Sequence, residues 1–316
     1  MSDAVTASPF VAPGEHAQIA IIVVTFNNTD HLAGLLESLR AEGADVRIRV
    51  IAADNSSADD TVAILSAEPN LIVVETGGNR GFAGGVNAAR AHVGSADSVL
   101  VLNPDLMIEH GCLRVMLNRL ETSGAAVVVP RLVGSDGKTS LSLRREPTIV
   151  NSLGDALFGA RFASRPAVFS ETLLCPTSYE HAHPVEWSTG AAVLIRRDLA
   201  DAIGDWDERF FLYSEEVDYL RRAREAGAAV WFEPAARMRH DEGGSGASLQ
   251  LETLMAVNRV RYIRKYHSAA YAAAFYATVI LHETMRSYDF AHRAILKTLL
   301  NQRSWRTLLR ATRTAP

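Results

Sequence analysis

The chain has 316 residues, 48% of them hydrophobic and 22% charged, with a formal net charge of −4. That balance is ordinary for a folded protein, excludes an intrinsically disordered chain, and leaves room for one large domain with an appendage or for two domains. The two cysteines, Cys112 and Cys175, cannot build a disulfide framework, and no CxxC pair suggests zinc, so a reducing compartment is expected.

The charge is unevenly spread. Residues 1–248 carry 21 Lys/Arg against 33 Asp/Glu, whereas residues 249–316 carry 11 against 3. An acidic body with a basic tail suggests that the tail meets something anionic. No helix-turn-helix, RNA-binding or zinc-finger pattern accompanies it, so no nucleic-acid partner is expected.

In chain order, residues 1–17 mix Pro9, Pro13 and Gly14 with small side chains and lack the basic start and apolar core of a signal peptide. They are expected to be a disordered lead-in. Residues 19–25 form an apolar strand, and 29–40 a helix with Leu32, Leu35, Leu36 and Leu39 on one face. Residues 46–53 read as the second strand, followed by a helix capped by Ser57 or Asp59. Residues 71–75 make a third strand. A glycine-rich loop and a helix follow, and then the apolar strand 98–102, which Pro104 should end because it has no N–H to give. Residues 112–120 are helical, and 125–129 form a strand closed by Pro130. Repeated βα units imply a parallel sheet covered by helices on both faces.

Residues 131–186 have weak periodicity, and long segments of this kind often carry binding function. Order returns with a strand at 191–195, a helix at 215–226, a short strand at 230–232 and a long amphipathic helix at 249–266.

Polar residues recur where these strands end. In open α/β sheets the carboxyl ends of the strands are where ligands bind. Thr25, Phe26 and Asn27 close the first strand and Asp54 the second; Asp54 could accept hydrogen bonds from a pyrimidine edge, or the segments could be plain turns. The run from Gly77 to Asn87 includes Asn79, Arg80, Gly81 and Gly84 and opens a helix, a setting that favours phosphates. It matches neither a Walker loop nor G-x-G-x-x-G, so a dinucleotide dehydrogenase is disfavoured. Asn103-Pro104-Asp105 puts a carboxylate just past the 98–102 strand, a seat for a divalent metal or a solvated turn. Glu215, Glu216 and Asp218 open a helix after the aromatic run 210–213, where a buried acid has its pKa raised and can act as a general base. His240, read as lying in a loop, is a candidate third metal ligand.

Taken in order, VVTFN, DNSS, GGNRGFAGGVN, LNPD, STGAAVLIRR, WDERFFLYSEEVD and RHDEGGS resemble the inverting glycosyltransferase family 2, nearest its bacterial rhamnosyltransferase branch, across about residues 19–250. The resemblance implies a GT-A fold, a Rossmann-like, doubly wound, mostly parallel α/β sheet with a helical C-terminal extension. It implies a catalytic domain at 18–248, with a nucleotide half at 18–130 and an acceptor half at 131–248, and a basic helical extension at 249–316. Asn103-Pro104-Asp105 looks like this branch's version of the Asp-x-Asp metal motif, leaving Asp105 as ligand to Mg2+ or Mn2+ with His240. Thr25, Asn27 and Asp54 match nucleotide-base contacts. Asn79, Arg80, Gly81, Gly84 and Asn87 match the donor-phosphate and sugar loop. The Glu-Asp base motif falls on Glu215–Glu216, with Glu216 where Asp is usual and Asp218 as understudy.

The implied reaction moves a sugar from a nucleoside diphosphate donor, dTDP-rhamnose or a UDP-sugar, to a glycan or polyprenyl-diphosphate-linked acceptor. A nucleotidyltransferase and a non-catalytic sugar-nucleotide binding protein are the competing readings. The apolar run 268–281 is too short to span a bilayer, which needs about 20 residues. With Trp305 and the flanking arginines it suits a cytoplasmic protein peripheral to an anionic inner-membrane surface; packing on the catalytic domain or a homodimer interface is the alternative.

Overall fold

The computed structural model describes residues 8–159, 165–240 and 248–309. Its strands are β1 (Ala17–Thr25), β2 (Ile48–Asp54), β3 (Ile72–Glu75), β4 (Ala96–Leu102), β5 (Leu106–Ile108), β6 (Val127–Val133), β7 (Leu143–Arg144), β8 (His183–Val185), β9 (Trp187–Ser188), β10 (Ala192–Arg196) and β11 (Val230–His240). Its helices are α1 (Thr29–Gly43), α2 (Thr61–Ser66), α3 (Gly81–Arg90), α4 (Cys112–Ser123), α5 (Ile149–Phe158), α6 (Arg197–Ile203), α7 (Glu215–Glu225), α8 (Leu249–Tyr266), α9 (Ala269–Met285) and α10 (Phe290–Leu300).

Among the described residues the main sheet has nine strands, in the order β3-β2-β1-β4-β10-β6-β11-β5, with β8 also on β11. The β3-β2-β1-β4 half is parallel, as successive βα units dictate. β10 is inserted antiparallel between β4 and β6, and β6 and β11 run parallel. β1 is buried on both faces, so alternate residues feed two cores. Ile19, Ile21 and Val23 meet Leu32, Leu35 and Leu39 of α1, while Ala20, Ile22 and Val24 meet Ala83, Val86 and Ala89 of α3.

Three expectations are corrected here. Residues 8–17 are not a disordered lead-in: Phe10 is buried in the α1 core and bridges Ile48, which ties the entry to β2 (residues 1–7 lie outside the described residues). Pro130 does not close its strand but sits inside β6. It lies opposite Glu233, where the register of β11 shifts, and an irregularity of this kind is where a strand tolerates a residue without an N–H. The strand expected at 230–232 runs on to His240, because beyond that irregularity Arg237, Met238 and Arg239 pair with Arg131, Leu132 and Val133.

The weakly periodic stretch contains α5. Its start is a capping box, with Asn151 N donating to Thr148 Oγ1 at 3.2 Å and Thr148 N to Asn151 Oδ1 at 2.8 Å. The apolar α9 packs on α5, and α8, α9 and α10 pack on one another; Ala272, Phe275, Val279, Ile295, Leu299 and Trp305 are buried in the core that begins at β1. Trp305 is therefore interior rather than a surface anchor, with its ring 4.8 Å from the Arg264 guanidinium. Across α9 and α10, His292 Nδ1 lies 2.8 Å from the buried Glu283. Burial and then Arg286 and Arg259 push the neighbouring His282 down to about 4. The same two guanidinium groups oppose a cation there, so this cluster is a polar clip between helices.

Candidate active site

The carboxyl ends of β1 and β2 are locked together. Thr25 Oγ1 donates to Asp54 Oδ1 at 2.9 Å, and Ser57 donates to the same carboxylate from its N–H (2.8 Å) and its hydroxyl (2.5 Å). Thr25 and Asp54 are buried, so they shape the turn. Asn27 adopts φ +55° and its Oδ1 accepts from Ala58 N at 2.7 Å. Phe26 stands 48% exposed at the sheet edge, an apolar face on which a base can stack.

The glycine-rich loop is tied to the segment before α7. Arg80 Nη2 donates to both carboxylate oxygens of Glu208, at 3.0 and 3.2 Å, and Asn87 Nδ2 donates to Glu208 (3.1 Å) and to Trp206 O (2.9 Å). Asn79 Oδ1 accepts from Gly81 N at 3.0 Å. Arg80 is thus half of an ion pair rather than an unpartnered cation. Gly84 makes room for it, since a Cβ there would lie 2.6 Å from Arg80 Cβ. Gly81 has φ +71°, and a Cβ on it would meet Phe211 O at 2.2 Å.

β4 ends at Leu102 as expected, and Asn103 N donates to Ala191 O at 2.8 Å. Asn103, Asp105, Glu215, Glu216 and His240 then line one cavity of about 510 Å³. His240, at the end of β11, brings Nε2 to 3.3 Å from Asp105 Oδ1. That oxygen is buried and accepts no hydrogen bond among the described residues. A carboxylate oxygen left open in this way beside an imidazole fits a divalent cation.

The segment before α7 is strained: Phe211, Tyr213 and Ser214 have φ of +65°, +67° and +74°. Left-handed backbone costs a residue with a Cβ about 1–2 kcal/mol, and such strain collects at functional sites. It delivers Glu215 and Glu216 into the cavity, each with a buried Oε2 that has no hydrogen-bond partner among the described residues. Burial pushes Glu216 up to about 7, opposed by the backbone N–H groups of Glu216 and Ser214 and then by Arg144. Burial and the charge of Glu216 push Glu215 well above the ordinary carboxylate range. A carboxyl held near 7 is matched to proton abstraction near neutral pH. Gly190 backs it; a Cβ there would lie 3.1 Å from Glu216 Cβ.

Asp218, expected as the understudy base, stands apart from Glu216. It does not line the cavity and its carboxylate is fully engaged, by Lys265, by the Tyr266 hydroxyl at 2.7 Å and by Arg222 Nε at 3.0 Å. Thr25, Phe26, Asn27, Asp54, Asn79, Arg80, Gly81, Gly84 and Asn87 also lie outside the cavity lining, the turn residues among them at the strand ends.

The far wall comes from residues the sequence did not single out: Arg144, Asp155 and Glu171 from the weakly periodic stretch, and Met255, Arg259 and Tyr262 from α8. Arg259 pairs with Glu171 at 2.7 Å. The Thr148–Asn151 pair that caps α5 is a local sequence signal for the helix that carries Asp155.

Residues 20–179 match the glycosyl transferase family 2 profile. The chain is 28% identical over 259 residues to the N-acetylglucosaminyl-diphospho-decaprenol L-rhamnosyltransferase of Mycobacterium tuberculosis, covering 78% of this chain and 83% of that protein. It is 25% identical over 232 residues to the rhamnosyltransferase WbbL of Escherichia coli K12, covering 70% and 83%. Among solved structures, the mannosyltransferase PcManGT of Pyrobaculum calidifontis, in complex with GDP-Man and Mn2+, aligns with a TM-score of 0.54 at 14% identity, over 94% of this chain and 85% of that one, a likeness of fold.

Proposed function

Because the chain belongs to glycosyl transferase family 2, we propose that it moves rhamnose from dTDP-rhamnose to a polyprenyl-diphosphate-linked glycan, with inversion, in cell-envelope polysaccharide synthesis. The observation that carries this reading is that Glu216 and Asp105 each present to the same cavity, at the carboxyl edge of the sheet, a buried oxygen that accepts no hydrogen bond among the described residues. The substrates named for the mycobacterial relative support the choice of donor sugar and acceptor.

The chain's own groups then act as follows. Glu216 takes the proton of an acceptor hydroxyl. The acceptor oxygen bonds to the anomeric carbon as the bond from that carbon to the diphosphate breaks, and the electron pair leaves with the nucleoside diphosphate. One displacement inverts the carbon, and no protein nucleophile takes part. A Mg2+ or Mn2+ ion held by Asp105 and His240 would neutralise charge on the departing diphosphate.

The acceptor places the protein at the cytoplasmic face of the plasma membrane. Among the described residues no helix is long and apolar enough to cross a membrane. The turn from α9 to α10 exposes Tyr288 and Phe290, and the exposed Arg293 and Lys297 follow on α10. Basic residues beside exposed aromatics suit an anionic lipid surface.

The deciding experiment is a donor panel of dTDP-rhamnose, UDP-sugars and GDP-sugars, with a short-chain prenyl-diphospho-N-acetylglucosamine acceptor, read by nucleoside diphosphate release. Turnover with dTDP-rhamnose and formation of the inverted anomer is expected. Turnover confined to UDP- or GDP-sugars would replace the donor, and release of pyrophosphate would replace the reaction class.

A further inference from the structure

We infer that Asn258 is a positioning residue for the base: it holds the left-handed turn that aims Glu216. The inference rests on the reading of Glu216 as general base. Asn258 is fully buried in the middle of α8. Its Nδ2 shares two N–H groups among three carbonyls of the turn, lying 2.6 Å from Phe210 O, 2.9 Å from Leu212 O and 3.0 Å from Tyr213 O. The fourth carbonyl, Phe211 O, accepts from Phe82 N at 2.7 Å, at the start of α3. Every carbonyl from Phe210 to Tyr213 is therefore held from outside the turn, three of them by one side chain.

The turn needs such support because its left-handed residues are not glycine, so local sterics would relax it. A relaxed turn would rotate the first residues of α7, and Glu215 and Glu216 are those residues. Arg261 sets which end of the amide faces the turn. Its Nη1 donates to Asn258 Oδ1 at 2.9 Å, and its Nη2 donates to Trp305 O at 2.9 Å. The amide nitrogen must then point at the turn carbonyls. The contact also runs from the C-terminal segment, through Arg261 and Asn258, to the base.

A residue that positions the base should move kcat and spare donor binding; one that only holds the fold should lower both with the folded fraction. Asn258→Ala removes the donors. Arg261→Met leaves them but frees the amide to rotate. For each, kcat, donor KM and the pH profile are measured with dTDP-rhamnose, alongside the melting temperature. Expected for Asn258→Ala is a fall in kcat of at least ~10-fold, donor KM within ~3-fold, and a displaced acidic limb. Arg261→Met should show a smaller loss in the same direction. Folded Asn258→Ala with wild-type kcat and pH profile would overturn the proposal, as would kcat and donor affinity falling together with the folded fraction. If Asn258→Ala is insoluble, unchanged kcat in Arg261→Met overturns it. Glu216→Gln run in parallel separates the two ideas. If that variant keeps full activity, the base reading and this proposal both fall. If it is inactive while Asn258→Ala is normal, only the proposal falls.

Discussion

His240 Nε2 and Asp105 Oδ1 stand 3.3 Å apart, although 135 positions separate them in the chain. The contact follows from strand pairing: His240 ends β11 opposite Leu106, the first residue of β5, and Asp105 immediately precedes that strand. The sheet register thus fixes the carboxylate and the imidazole at one corner of the cavity.

If that corner holds the cation, Asp105→Ala should lower turnover by at least ~10² through lost stabilisation of the leaving group. Excess chelator should do the same to the wild-type protein, with recovery on adding Mn2+ or Mg2+. His240→Ala should raise the metal concentration needed for half-maximal activity and leave donor binding in the absence of metal unchanged. Full activity in chelator refutes the metal assignment.

Glu216→Gln keeps the shape of the side chain and removes its basicity, so kcat should drop by ~10²–10⁴ with donor affinity little changed. Asp218→Asn breaks contacts to Lys265, Tyr266 and Arg222 in a fully buried place. It should lower the melting temperature, and the folded fraction should retain most of its kcat. The reverse pattern would move the base to Asp218.

The pH dependence has a definite sign. If Glu216 is the general base, its active form is the carboxylate, and the group is pushed up to about 7. Activity, as kcat/KM, should therefore fall as pH drops through about 7, up to tenfold per unit below it. Stability runs the other way. A carboxyl whose folded pKa lies above its unfolded value contributes stability that is fully present below the unfolded pKa and is lost as pH rises through the folded one. Glu216→Gln should accordingly raise the melting temperature near pH ~8 and change it little near pH ~4. Equal shifts at both would show that Glu216 does not carry a raised pKa.

On the surface proposed to meet lipid, Arg293→Glu with Lys297→Glu reverses two exposed charges next to Tyr288 and Phe290; because Arg293 also donates to Ser287 O (2.8 Å) and Tyr288 O (2.9 Å), an unchanged melting temperature is the control. Co-sedimentation with anionic vesicles at low salt should fall severalfold relative to wild type, since each basic residue near such a surface contributes about 1 kcal/mol. Equal partitioning of the two proteins would remove this surface as the lipid contact.

The parallel half of the sheet was legible because residues such as Ile19–Val24 and Val99–Leu102 are buried on both faces, and an apolar run between turn residues marks such a strand locally. The same locality made the polar strand ends readable. Pro130 and the second half of β11 were not, because what lets a proline sit inside a strand is the irregularity of its partner, more than 100 positions away in sequence. Arg144, Glu171 and Arg259 gave no local sign of sharing a wall, since they come from separate segments that meet only on folding.

By itself the sequence determined the order of the βα units, the placing of Asp105 after a buried strand and the acidic start of α7, all of which depend on burial patterns and turn chemistry between near neighbours. Only the tertiary structure decided which of these acids faces the cavity. Asp218 and Glu216 are two positions apart on one helix and chemically alike. One is turned toward Lys265, Tyr266 and Arg222, while the other faces a cavity with one oxygen left open. A carboxylate's reactivity is set by its solvation and by the charges around it. For Asp218 the surroundings are partners from α8 and Arg222 within α7; for Glu216 they are burial first, opposed by the backbone N–H groups that open α7 and by Arg144 on the cavity wall, all brought together by packing.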